Sequence, residues 1–161
     1  VLLGSRILTQ PTPRLTSLTP PLPVSNRYDA VYFLMTAYDP YEGGQGYGTG
    51  DVYGGIEFRL ADGSFHTLPL MHKVHAANLF EPLGDLSSGK LVWQGPTPFA
   101  TWWDMYTRWP GNRWIQREHP NRLYLVRWIN PKPDVSIDSI LFHSTDTHVV
   151  PVILGMTGAR K

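Results

Sequence analysis

The chain has 161 residues, the size of one domain with room for a sizeable core. Its charged residues amount to 17% and its formal net charge is +1, which excludes a general electrostatic attraction to nucleic acid or anionic lipid. Cysteine is absent, which excludes a disulfide framework, a cysteine zinc ribbon and thiol catalysis.

Val1 to Leu8 reads as a first strand. The stretch 9–24, "TQPTPRLTSLTPPLPV", carries Pro11, Pro13, Pro20, Pro21 and Pro23. Proline fixes φ and removes ladder donors, so this stretch is expected to be an extended, polyproline-like strap along the domain, or an arm on a neighbouring subunit. "AVYFLMTA" (30–37) is β-branched and aromatic, apolar on both faces, and bounded by turn residues, as a buried central strand should be. Residues 38–51, "YDPYEGGQGYGTGD", form a glycine-rich loop with Tyr38, Tyr41 and Tyr47 in it.

The clearest local signal is "GGIEFRLADGSFHTLPL". Ile56, Phe58 and Leu60 alternate with Glu57 and Arg59, and Asp62-Gly63 accepts φ > 0 at low cost, so a β-hairpin is predicted with Phe65–Leu70 as its return strand. The pattern weakens from Met71 to Asn121, with room for one helical turn in the irregular "MHKVHAANLFEPLGDLSSGK" and a short strand at "KLVWQG". Residues 122–130 and 136–144 are strands separated by "NPKPD". In the second of them Ile140 and Phe142 face opposite Leu141 and His143. Residues 148–158 form a last apolar strand whose Pro151 suits an edge or a bulge. Trp93 and Trp128 lie in strand-like runs and are expected in the core. Asn130 precedes a proline, which pushes it out of the α region, so the Asn-Pro-Lys-Pro bend is read as structural.

Short strands, long decorated loops and no convincing helix predict one all-β domain over 1–161, an antiparallel β-sandwich. The longest apolar runs fall far below the ~20 residues of a membrane span, and no secretory signal is visible. The first residue is Val1 rather than Met, so a fragment or a processed product is expected.

The candidates for chemistry are few. Residues 100–114, "ATWWDMYTRWPGNRW", hold four of the six tryptophans. Indoles offer flat apolar platforms to the C–H faces of a sugar, and hydroxyls need planar polar partners nearby. Trp102, Tyr106, Trp109, Asn112, Arg113 and Trp114 supply both kinds of group. The same composition fits a subunit interface, where Trp, Tyr and Arg are enriched, and some of these rings will serve packing. His66, His72 and His75 could hold zinc or copper with an open fourth position, or else sit hydrogen-bonded at strand ends. Asp39, Glu42 and Asp51 bracket the glycine-rich loop and suit calcium, or simply solvate it. Classical catalysis has no motif here: no G-x-S-x-G elbow, no P-loop and no dinucleotide fingerprint.

Taken together, "AVYFLMTA", "GGIEFRLADGSFHTLPL", "RLYLVRWINPKPDVSIDSILFHS" and "VVPVILGMTG" resemble a module of bacterial extracellular and polysaccharide-degrading proteins. The resemblance covers most of residues 24–158. It is specific in the Asp-Gly hairpin and in "WINPKPDVSIDSI". The chain departs from it over 71–120, which is longer and richer in His and Trp. The resemblance implies a galactose-binding-like jelly roll of the kind used by many carbohydrate-binding modules. It also implies an extracellular or cell-surface location and raises the case for one structural calcium. Two functions are expected on these grounds. The first is a non-catalytic carbohydrate-binding accessory module that meets a polysaccharide or glycan through the 100–116 loop. The alternative is a structural or assembly subunit of a fibre, coat or homo-oligomer, whose aromatic loops and proline-rich arm contact identical subunits. Neither involves nucleic acid.

Overall fold

A computed structural model describes residues 18–38, 48–79, 83–95, 121–145 and 149–160. Eight strands succeed one another in chain order: β1 (Leu22–Asn26), β2 (Ala30–Tyr38), β3 (Val52–Leu60), β4 (Phe65–Met71), β5 (Gly89–Gly95), β6 (Asn121–Ile129), β7 (Ile137–Ser144) and β8 (Val150–Ala159). They form two four-stranded sheets, ordered β5-β6-β2-β8 and β1-β7-β3-β4. Every pairing is antiparallel. No helix occurs among the described residues. The protein is an all-β antiparallel sandwich, and its two sheets are compatible with a jelly roll.

The alternation of side chains explains the two layers. On β2, Val31, Phe33, Met35 and Ala37 point inward and are buried, because residues two apart share a sheet face. They meet Ile56, Phe58 and Leu60 of β3, Ile140 and Phe142 of β7, and Tyr124, Val126 and Trp128 of β6 in a single cluster. Aromatic rings organise its centre. Phe33 meets Phe58 edge-on at 6.0 Å and Phe142 at 6.2 Å. Phe58 stacks on Trp128 with ring centroids 3.6 Å apart and planes 7° from parallel. Trp128 is therefore a core residue, as its strand pattern predicts.

The expected first strand at 1–8 and residues 9–17 of the strap lie outside the described residues. The end of the strap is not polyproline-like. Leu18 bridges His143, and Leu22–Asn26 pairs with β7 as an edge strand. Pro23 is tolerated there because an edge needs no second ladder donor. Pro151 likewise sits on the edge strand β8, opposite Ala37 of β2.

Strand directions divide the sandwich into two ends. The start of β3 lies by the start of β8, since a Cβ on Gly54 would stand 3.3 Å from Pro151. With all pairs antiparallel, β2, β4, β5 and β7 run towards that end, and β1, β3, β6 and β8 run away from it.

The far end is closed by short turns. Leu60 donates its N–H to Ser64 O at 2.8 Å across the Asp-Gly turn, with Gly63 at φ +82°, a conformation that glycine adopts without a Cβ penalty. Asp62 accepts from Lys132 Nζ at 2.7 Å and from Ser64 N at 2.9 Å. These partners, Lys132 first, hold its carboxyl well below the usual carboxylate range. Asn130 is buried. Its Nδ2 donates to Tyr28 O at 2.9 Å, and its Oδ1 accepts from Lys132 N at 2.9 Å. The Asn-Pro-Lys-Pro bend is structural, and Asn130 is the side chain that locks it.

Candidate functional site

Gly95 ends β5, Asn121 begins β6, and the two are register partners. The segment 96–120 therefore leaves and re-enters the molecule at one point, the end where the strands begin β3 and β8. The segments 39–47 and 146–148 leave from the same end, after β2 and before β8. Trp102, Tyr106, Trp109, Asn112, Arg113 and Trp114 lie outside the described residues, as do Asp39 and Glu42. What the structure gives is their point of attachment.

Asp51 is described. Its Oδ2 accepts from Gly48 N at 2.6 Å, and its backbone oxygen accepts from His72 N at 2.9 Å. Gly50 N donates to His72 O at 2.9 Å, so the base of the glycine-rich loop is sewn to the chain just after β4.

Residues 72–79 build the floor of this end. One helix-like turn forms at the start of the irregular stretch 71–90, with His75 N donating to Met71 O at 3.1 Å. The chain then enters a fork between β2 and β6. Ala37 N donates to Ala77 O, Leu79 N to Ala37 O, and Arg122 N to Leu79 O, so each strand keeps a backbone partner after they part. His72 and His75 are both buried. His75 Nδ1 accepts from Met71 N at 3.1 Å, and burial holds this imidazole below its ordinary pKa. The backbone presses against it: a Cβ on Gly89 would stand 2.0 Å from His75 O, so only glycine fits at the start of β5. His66 lies on the inner side of β4, tilted against Trp128 at 6.4 Å. Among the described residues no three His, Cys, Asp or Glu side chains gather as a metal site. Tyr53, at the start of β3, is fully buried, and its hydroxyl has no hydrogen-bond partner among the described residues. Burial pushes its pKa far above the usual phenol value.

Trp93 departs from the sequence expectation. It is 45% exposed rather than core. A register shift explains it. Leu91 lies opposite Tyr124, an inward residue, but Trp93 lies opposite Leu123, an outward one. The extra residue between them is a β-bulge, which turns the next side chain to the other face. The indole lies along the strand, because a Cβ on Gly95 would stand 2.3 Å from it. Trp93 thus caps the root of segment 96–120. Along the outward side of the β5-β6-β2-β8 sheet, apolar residues are interspersed with Lys90 and Arg127. Leu34 pairs with Leu125, and Tyr32 pairs with Arg127, whose guanidinium lies 5.8 Å from the ring centroid. Ile129 and Leu154 are 63% and 57% exposed.

The fold is an all-β sandwich in which the strands flanking 39–47, 96–120 and 146–148 all end or begin at this one end. Among the described residues, no helix is long and apolar enough to cross a membrane. Compared with known protein families, curated proteins and solved structures, the chain finds no match.

Proposed function

We propose that the protein is a non-catalytic carbohydrate-binding module of the galactose-binding-like kind, acting outside the cell. It meets its glycan at the end of the sandwich from which segment 96–120 leaves. The observation that carries this reading is Trp93: an exposed indole at the root of a segment that holds four further tryptophans. An aromatic ring presents a negative face, which attracts the polarised C–H bonds on the flat side of a pyranose. Asn112 and Arg113 supply donors for its hydroxyls. Calcium, on this reading, is held by Asp39, Glu42 and Asp51. The test is affinity electrophoresis through gels of neutral polysaccharides. The wild-type chain is retarded, and Trp93→Ala and the Trp109→Ala, Trp114→Ala double variant are not. Free migration of the wild type through every polysaccharide rejects the reading.

The outward side of the β5-β6-β2-β8 sheet favours a second reading, assembly with identical subunits. Val92, Trp93, Ile129, Leu154 and Met156 are all exposed, and grouped exposed apolar side chains mark interaction sites. Mass measurement in solution decides it: a strict monomer at high concentration rejects assembly.

A further inference from the structure

The outward side of the other sheet carries a different surface, at the closed end and away from segment 96–120. A cleft of about 480 Å³ lies over the β3–β4 hairpin, lined by Glu57, Arg59, Leu60, Gly63, Phe65 and Asp138. Its volume falls within the range of small-molecule sites. Three features of the backbone assemble it. Arg59 and Phe65 are direct register partners across the hairpin, and Glu57 is two residues before Arg59 on the same face. The register shifts between Arg59 and Leu60, where Ser139 and Ile137 are the partners on β7. Asp138 is the extra residue of that irregularity, and so its exposed side chain reaches the cleft. At the turn, Gly63 has positive φ and open space where a Cβ would stand, which leaves the mouth unobstructed.

The side chains in this cleft select a ligand by charge. Phe65 is 66% exposed, a large apolar ring standing in solvent beside three charged groups. Glu57 Oε1 accepts from Arg59 Nε at 2.7 Å. That bond holds both side chains in place and uses one guanidinium N–H, leaving the others as donors. Two carboxylates disfavour an anion. Arg59 is already paired with Glu57, so Asp138 alone would face a cation. A neutral ligand with one apolar face and both donors and acceptors on its rim satisfies all four groups. A pyranose has that form: axial C–H bonds for Phe65, and hydroxyls that donate to Glu57 and Asp138 and accept from Arg59. We propose that this cleft is a contact site for one neutral sugar ring, with Phe65 as its platform. The site is separate from the one proposed on segment 96–120 and does not depend on it.

The test is an amide NMR titration of the full chain. The probes are methyl galactoside, methyl glucoside, methyl mannoside and methyl xyloside, with glucuronate and methylated lysine as charged controls. The expected result is saturable shifts confined to residues 57–65 and 137–139 with at least one neutral glycoside, at about millimolar affinity. F65A should weaken this binding at least about tenfold, and F65Y should restore it. Phe65 is exposed, and an unchanged circular dichroism spectrum of F65A confirms its fold. Shifts from glucuronate or methylated lysine alone overturn the proposal. So do the absence of shifts from every probe, and an F65A chain that titrates like the wild type. The Trp109→Ala, Trp114→Ala variant separates the two sites: it keeps the shifts at 57–65. If no polysaccharide retards the wild type and those shifts persist, the segment reading falls and this one stands.

Discussion

The two ends of this sandwich are built on opposite plans. At the closed end, residues 61–64 and 130–136 make short turns, and their polar groups bond to one another: Asp62 with Lys132, Asn130 with Tyr28 and Lys132. At the other end, β5 and β6 are joined only through segment 96–120, although Gly95 and Asn121 are already partners. The β-ladder needs two residues to close that hairpin, so the segment's length is not required by the fold. Stability should reside in the core and the closed end. The capacity to bind should reside in groups the ladder does not need.

The largest effect tests the core that both ends share. Phe58→Ala removes the ring stacked on Trp128 and should cost about 3–5 kcal/mol in urea unfolding. A cost below ~1 kcal/mol would mean that the sheets are not held by this contact.

At the closed end, Asn130→Ala leaves Tyr28 O and Lys132 N without their partner and should cost about 2 kcal/mol. The same measurement reads it, and Asn130→Asp should recover part of the loss by keeping the acceptor.

At the open end, His75 makes stability depend on pH. Its folded-state pKa lies below the ordinary 6.5 because it is buried. The unfolded chain therefore binds the proton more readily. The contribution is fully present above that ordinary value and is lost as pH falls below it, with a slope up to about 1.4 kcal/mol per pH unit. Protonation at Nδ1 would also remove the acceptor for Met71 N. Unfolding measured from pH 7 to 5 should show the decline, and His75→Gln should flatten it. Asp62 acts in the same direction at lower pH, as its carboxyl is held down by Lys132.

A smaller effect is expected from Tyr53→Phe. If the buried hydroxyl has no partner, its removal relieves a desolvation cost and should stabilise the protein by about 1 kcal/mol. A loss of similar size would show that a group outside the described residues serves it.

One further change sharpens the comparison most. Replacing residues 96–120 with Asn-Gly joins register partners by a type I′ turn. It should raise the unfolding free energy by about 2 kcal/mol, because a loop of about 25 residues becomes one of about two, while abolishing retardation by polysaccharide. A chain that fails to fold after this change would show that segment 96–120 belongs to the core, and the contrast between the ends would collapse.

The sequence by itself determined the hairpin and the strands other than β1, which falls at the end of the stretch read as a polyproline-like strap. Alternation at Ile56, Phe58 and Leu60, the Asp-Gly turn, and the doubly apolar run at 30–37 are local signals. Each reports a backbone preference or a burial pattern set within a few residues. The bend at Asn130 was legible for the same reason, since proline constrains its neighbour directly, but the bonds of its side chain to Tyr28 and Lys132 were not. The sequence also drew attention to His72 and His75, but not to their place in the fork between β2 and β6. Only the tertiary structure decided which face Trp93 and Asp138 occupy. By alternation alone, Trp93 belongs with Leu91 in the core. A bulge in the pairing of β5 with β6 turns it outward, and an irregularity between β3 and β7 brings Asp138 to the cleft beside Phe65. Register is a property of two strands far apart in the chain, and one inserted residue reverses the facing of every side chain beyond it. No window of local sequence contains that information.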